Sequence, residues 1–361
     1  MGRIPNLRDL VGIIKDRVSQ SKAAVISKPR TLSLRLALLR ATTHDPFSPP
    51  NPKHITTLLS FGHSSRATVS AAIEALMDRL QSTHDSSVAI KCLIVVHHII
   101  KHGNFILQDQ LSVYPSTGGR NYLNLSNFRD NTTPLTWELS TWVRWYASYV
   151  EHLLSASRVL GFFVCSTSSA VAKDKSEERV AALTNSDLLK EIDCLVNLMG
   201  EISKRPQPVH VHDNKLVDHI MTMVTEDYLS AISDISVRVH EFTHRLSCLS
   251  FSDSVELVCA FKRLDDCKES LLGLSAKKRS LVESLWSSMR ELKNKVGEGE
   301  VKRKEGQLLM LTSGRGERGS ESARIGERVL SQGDAVRFSS TRFVSTHGCA
   351  FPVVESLQLC A

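Results

Sequence analysis

The sequence predicts an all-α protein, with a body of stacked helices over residues 1–296 and a flexible tail over 297–361. Three observations carry that expectation. Apolar residues recur at spacings of three and four through most of the first 296 positions, which is helical periodicity. No strand-turn-strand pattern built on Asn-Gly or Asp-Gly occurs. Beyond Lys295 the composition shifts: residues 297–361 hold nine of the eighteen glycines, with many Ser and Arg, the make-up of a chain that cannot bury a core. With 361 residues, 42% of them hydrophobic, the body is long enough for a substantial interior.

Taken in order, residues 5–19 place Leu7, Leu10, Val11, Ile14 and Val18 on one helical stripe beside basic residues. Such a helix can lie in a bilayer interface, with Leu7, Leu10, Val11 and Ile14 inserted; simple packing on the next helix is the competing expectation. A second helix is expected to end near Arg40 and to enter a proline-rich loop. Asn51 then suits a helix cap and Pro52 a first helical position. Residues 66–82 align Val69, Ile73, Leu76, Met77 and Leu80. Residues 88–101 are apolar on almost every side, as a central buried helix is. Residues 136–157 carry Trp137, Trp142, Trp145, Tyr146 and Tyr149 at helical spacing, expected in the core. Ser166 to Arg179 reads as a loop. Helices are expected at 185–204, 212–247, 252–273 and 277–296, with Asn185-Ser-Asp187 and Asp213 as caps and Pro206 and Pro208 as breakers.

Several classes are set aside. Asp9 and Asp16 interrupt any signal-peptide core, and no apolar run is long enough to span a bilayer. Gly2 lacks the Ser or Thr that a myristoylation signal needs. The eight cysteines form no C-x-x-C pair, so free thiols in a reducing, intracellular compartment are expected. His98 and His102 stand four apart, but the sequence has no H-E-x-x-H, and a core role is expected for His97 and His98. His84-Asp85 and His210-x-His212 carry no fuller metal pattern. There is no G-x-S-x-G, P-loop or dinucleotide-binding glycine pattern. No enzyme, metal or cofactor is expected. A nucleic-acid-binding or scaffold solenoid is the rival class. Against it, basic residues beyond position 60 are balanced by acids and no aromatic-basic RNA motif appears, so no nucleic acid is expected as partner.

Charge singles out the N-terminal end. Residues 1–60 carry ten Lys or Arg against three Asp, which is the whole net charge of +7. An anionic surface is the natural partner of such an end. Lys53 and His54 would occupy the first turn of the helix begun at Pro52, where cations oppose the helix dipole. With Arg40 across the loop, they suit a polyphosphate head group near a helix start.

The same run carries a resemblance. Arg40-Ala41-Thr42-Thr43-His44, then Lys53-His54 after the loop, resembles the phosphoinositide-binding stretch of the ANTH domain of clathrin assembly proteins. Asn51 stands where that pattern has another Lys. The proline-rich loop with Asp45-Pro46-Phe47 is similar to the plant version. Leu93 to His98 with Gly103-Asn104, and Leu123 to Asp130, resemble further family blocks, and Trp142 to Tyr149 occupies the place of its Arg-Tyr-x-x-Tyr helix. The resemblance implies an ANTH/ENTH-like right-handed helical solenoid with its lipid site at the N-terminal end. It implies phosphatidylinositol 4,5-bisphosphate membranes as partner, through Arg40, Lys53 and His54. It also implies clathrin heavy chain and the adaptor complex as partners, and vesicle SNAREs for some members. The expected place is cytoplasmic, on plasma membrane, clathrin-coated pits and vesicles, and Golgi. In the tail, Leu308-Leu309-Met310-Leu311 lacks the acidic end of a clathrin box.

Overall fold

The computed structural model describes residues 7–26, 29–115, 118, 121–164, 176–207, 214–274 and 279–313. Among them the secondary structure is helical, as expected. Helix α1 spans Leu7–Ile26, α2 Pro29–Ala41 and α3 Pro52–Ser60. Then come α4 (Arg66–Ser82), α5 (Ser86–His102), α6 (Phe105–Ser112) and the long α7 (Pro134–Leu160). The later helices are α8 (Ser176–Ala181), α9 (Asn185–Ser203), α10 (Lys215–His244), α11 (Phe251–Asp266), α12 (Lys268–Leu272) and α13 (Arg279–Ser313). The chain divides into two units, Met1–Leu308 and Leu309–Ala361. Only the last turn of α13 is described in the second.

Side-chain caps set most helix starts, because the first N–H groups of a helix lack intrahelical partners. The Ser65 hydroxyl accepts from Thr68 N at α4, and the Asp85 carboxylate from Ser87 N and Val88 N at α5. Thr133 and Thr136 form a capping box at α7, with Pro134 in the first turn. That helix closes at Gly161, whose φ of 74° is left-handed. Two expected caps are displaced. Thr184, not the Asn185-Ser-Asp187 run, caps α9, and Asn214, not Asp213, caps α10.

Helix α5 is the central rod of the body. From Ser86 to Lys101 only His98 is not fully buried. It packs on α7, which packs in turn on α9, and α9 on α11. The aromatic stripe of α7 is interior at Trp142, Trp145, Tyr146 and Tyr149. Trp137 corrects that expectation: it is 52% exposed, because it stands on the outer face of α7 with the half-buried Thr141 and Arg144, whereas Thr136 beside it is buried.

Polar groups inside the rod are matched. The buried His97 ring meets Tyr146 Oη at 2.8 Å and Asp227 Oδ2 at 2.5 Å. Tyr149 Oη donates to the same oxygen at 2.6 Å, and Lys101 Nζ donates to Asp227 Oδ1 at 3.0 Å. Burial alone would raise the Asp227 carboxyl. The charge and hydrogen bond of His97, with help from Lys101 and Tyr149, hold it down at about 2. His98, expected in the core network, packs instead against the rings of His102 and His219, at 5.7 Å between centroids in each case. Burial, then the neighbouring His97, depresses it to about 3.

Four boundaries differ from expectation. The first helix, expected over 5–19, runs on to Ile26. The loop at 166–179 contains α8 in its last residues. The helix expected over 252–273 tightens at Cys267, whose N–H bonds to Leu264 O, three residues back, and so divides into α11 and α12. The helix expected to stop at 296 runs to Ser313. Gly297, Gly299 and Gly306 each cost about 1 kcal/mol in a helix, but strong helix formers, Lys302 to Glu305 and Gln307 to Leu311, stand between and after them. His210, His212 and residues 314–361 lie outside the described residues.

Candidate functional site

Helices α2 and α3, with the loop between them, bring Arg40, Lys53 and His54 together. Arg40 lies in the last turn of α2 and is exposed. Lys53 is exposed in the first turn of α3 and His54, beside it, is half-buried. Burial, then Arg40, then Lys53 lowers the His54 pKa. The three therefore share one electrostatic neighbourhood, in which burial first and the two cations second favour the neutral imidazole.

The start of α3 differs from expectation in one respect. Its backbone donors are already engaged. The Asn51 side chain accepts from Lys53 N at 3.0 Å, Asn51 O accepts from His54 N at 3.0 Å, and Pro52 has no N–H. An anion here would meet side chains and the helix dipole rather than free N–H groups. Asn51 thus replaces a cation by a cap. Asn51→Lys is expected to lose about 1 kcal/mol of stability with the cap while strengthening anion binding. Thermal unfolding together with vesicle sedimentation would measure both changes; unchanged sedimentation would place the anion elsewhere.

The loop itself is held from four sides. Arg79 of α4 donates through Nη2 to Thr42 O at 2.7 Å. Lys91 of α5, 1% exposed, donates from Nζ to Thr43 Oγ1 at 2.8 Å. Desolvation lowers its ammonium to about 8, against the pull of Asp45, Asp16 and Asp85. Asp16 of α1 pairs with the His44 ring at 2.6 Å and accepts from His44 N at 3.1 Å. Asn214, the cap of α10, donates to Pro46 O at 2.9 Å. The Asp45-Pro46-Phe47 run is built into this turn, since Asp45 Oδ1 accepts from Phe47 N at 2.9 Å.

Helix α1 docks by its small and polar face. Gly12 abuts His44, where an added Cβ would stand 3.2 Å from the His44 Cβ. Asp16, one turn on, holds the same histidine, and Ala23 is buried. The apolar stripe points elsewhere: Leu10 is 46% exposed, Val11 44%, Ile14 61% and Val18 60%. Leu7 opens the helix, and its side chain lies outside those described. The competing expectation, that this stripe packs on the next helix, is not what the structure has.

Sequence reasoning missed Gly12, Asp16, Arg79, Lys91 and Asn214. The signal for two of them was present: Gly12, Asp16 and Ala23 recur at helical spacing opposite the leucines. Nothing in the spacing links Arg79, Lys91 or Asn214 to the loop. Among the described residues no group of three or more His, Cys, Asp or Glu stands where it could hold a metal ion. No described helix is long and apolar enough to cross a membrane.

The fold and this end of it define a class: helical-stack proteins whose first helices offer an outward apolar stripe beside a tethered loop flanked by cations. Residues 33–271 match the ANTH domain. A clathrin assembly protein of Arabidopsis thaliana is 50% identical over 359 residues, 98% of each chain. Two further Arabidopsis proteins of that description are each 32% identical, over 80% and 81% of this chain and 86% and 100% of their own lengths. The chain belongs to the ANTH-domain clathrin assembly protein family, in its plant form.

Proposed function

We propose that the protein is a phosphoinositide-binding membrane adaptor that helps assemble clathrin coats and sorts cargo in clathrin-mediated endocytosis. It binds rather than catalyses. Arg40, Lys53 and His54 hold the phosphorylated inositol head group, and the stripe of α1 inserts beside it. The observation that carries this reading is the outward stripe on a helix fixed to the head-group loop through Asp16 and His44. The clathrin assembly names of its relatives support the coat role. Clathrin heavy chain, the adaptor complex and a vesicle SNARE are the protein partners that this role entails. It places the chain on the cytoplasmic face of plasma membrane, coated pits and vesicles, and Golgi. Residues 1–296 are the membrane-binding part and 297–361 the segment that recruits coat components.

Leu10→Glu tests the insertion. Removing a leucine from the interface forfeits about 1.5–3 kcal/mol, so vesicle binding should fall about ten-fold or more, with the helical circular dichroism unchanged. Undiminished sedimentation with bisphosphate-containing vesicles would end the insertion reading. Capture of clathrin heavy chain by residues 297–361 tests the coat role.

A further inference from the structure

A second cleft lies beside the head-group loop, between α1, α2 and α4, with a volume of about 420 Å³. Its apolar lining includes Ala23 and Leu38, both buried, and Ile26, which is 63% exposed. Lys22 of α1, Arg35 of α2 and Asp78 of α4 stand around it, all three exposed. Among the described residues none of the three enters an ion pair. The remaining charged residue of the cleft, Arg79, is engaged with Thr42. Lys22 follows Val18 by four residues and precedes Val25 by three, so it edges the outward stripe of α1. Through Lys22 and the exposed Ile26 the cleft borders the outward stripe of α1.

Two cations and one carboxylate over an apolar floor are an unusual set for a surface that meets only phosphate. A carboxylate repels phosphate but receives an ammonium group. A phosphatidylserine head group carries a phosphodiester, a carboxylate and an ammonium, one net negative charge. Lys22, Arg35 and Asp78 carry the complementary set, one net positive charge. We propose that this cleft is a binding site for phosphatidylserine in the bilayer, separate from the Arg40–Lys53–His54 site. Lys22 and Arg35 receive the phosphodiester and carboxylate, Asp78 receives the ammonium, and Ile26 lies against the glycerol and upper acyl region. The inference rests on the reading that α1 lies on a membrane.

The test uses the full chain and phosphatidylcholine vesicles without inositol lipid, carrying either phosphatidylserine or phosphatidylglycerol at equal mole fraction. Both lipids bring one negative charge, but only serine brings the ammonium. The parent should prefer phosphatidylserine about three-fold, the yield of one part-exposed ion pair. Asp78→Asn should erase that preference while leaving phosphatidylglycerol binding intact or stronger. Joint Lys22→Gln and Arg35→Gln should weaken phosphatidylserine binding about ten-fold. The gain in binding on adding inositol bisphosphate to the vesicles should stay as in the parent. Equal binding of the two lipids by the parent, or a preference that survives Asp78→Asn, would overturn the site. Failure of the membrane reading shows elsewhere, as Leu10→Glu that binds like the parent or Arg40→Ala that leaves the bisphosphate gain intact.

Discussion

Asp227→Ala should destabilise the fold by about 3–5 kcal/mol, the cost of removing one member of a buried charged network. The carboxylate accepts from His97, Tyr149 and Lys101 at once, and it is wholly buried. Without it, Lys101 keeps Glu226 at 2.7 Å, but the His97 ring and the Tyr149 hydroxyl lose an acceptor where water does not reach. The thermal midpoint should fall by about 5–10 °C. Asp227→Asn keeps an acceptor and should fall less. Since Asp227 is held at about 2, well below its unfolded value, its contribution is present above about pH 4 and fades only as pH falls toward 2. An unfolding free energy for Asp227→Ala within about 0.5 kcal/mol of the parent, the range of ordinary surface changes, would mean that the network carries no stability.

The largest effect on binding is expected at the head-group site. Each charge-assisted contact to phosphate is worth about 1.5–3 kcal/mol, so Lys53→Ala and Arg40→Ala should each weaken binding to bisphosphate vesicles about ten-fold or more. His54 adds a dependence on pH. Its pKa is lowered in the free protein by burial and by the two cations. A bound polyphosphate favours the charged ring and raises it again. Binding then takes up a proton, so affinity should rise from pH 8 to pH 6. His54→Gln should flatten that rise, whereas Lys53→Ala should lower affinity at both values and keep the slope. Sedimentation at fixed salt measures all three. If Arg40→Ala and Lys53→Ala bind like the parent, the basic end acts as a diffuse patch and the three residues form no site.

The helices whose cause is local were legible in the sequence. The range of α4 follows from its apolar period over 66–82, and the start of α3 from Asn51 and Pro52. The end of α13 was not legible, because Gly297 and Gly299 look like a stop and only the strength of their neighbours says otherwise. Trp137 looked interior because it shares the aromatic type of the stripe, but five residues before Trp142 it turns away from that face. At the site, the residue types and their places on α2 and α3 were legible. The cap was legible too, but not its consequence, that the Asn51 side chain and carbonyl take up the N–H groups of Lys53 and His54 and leave an anion only side chains and the helix dipole. Nor were the four tethers of the loop, which join positions up to 168 apart in the chain.

Those tethers make the loop a junction rather than an appendage. Its backbone and side chains are held by α1, α4, α5 and the start of α10, and α5 is the rod on which the remaining layers are built. Any anion that fixes the loop therefore draws on the same cohesion that keeps distant layers together, and occupancy should propagate as rigidity through the entire stack. The converse is equally direct. Damage at Asn214, far along the chain, would slacken a surface formed within the first 54 residues, so the early segment on its own is an incomplete unit although it contains Arg40, Lys53 and His54, the three residues proposed for the head group.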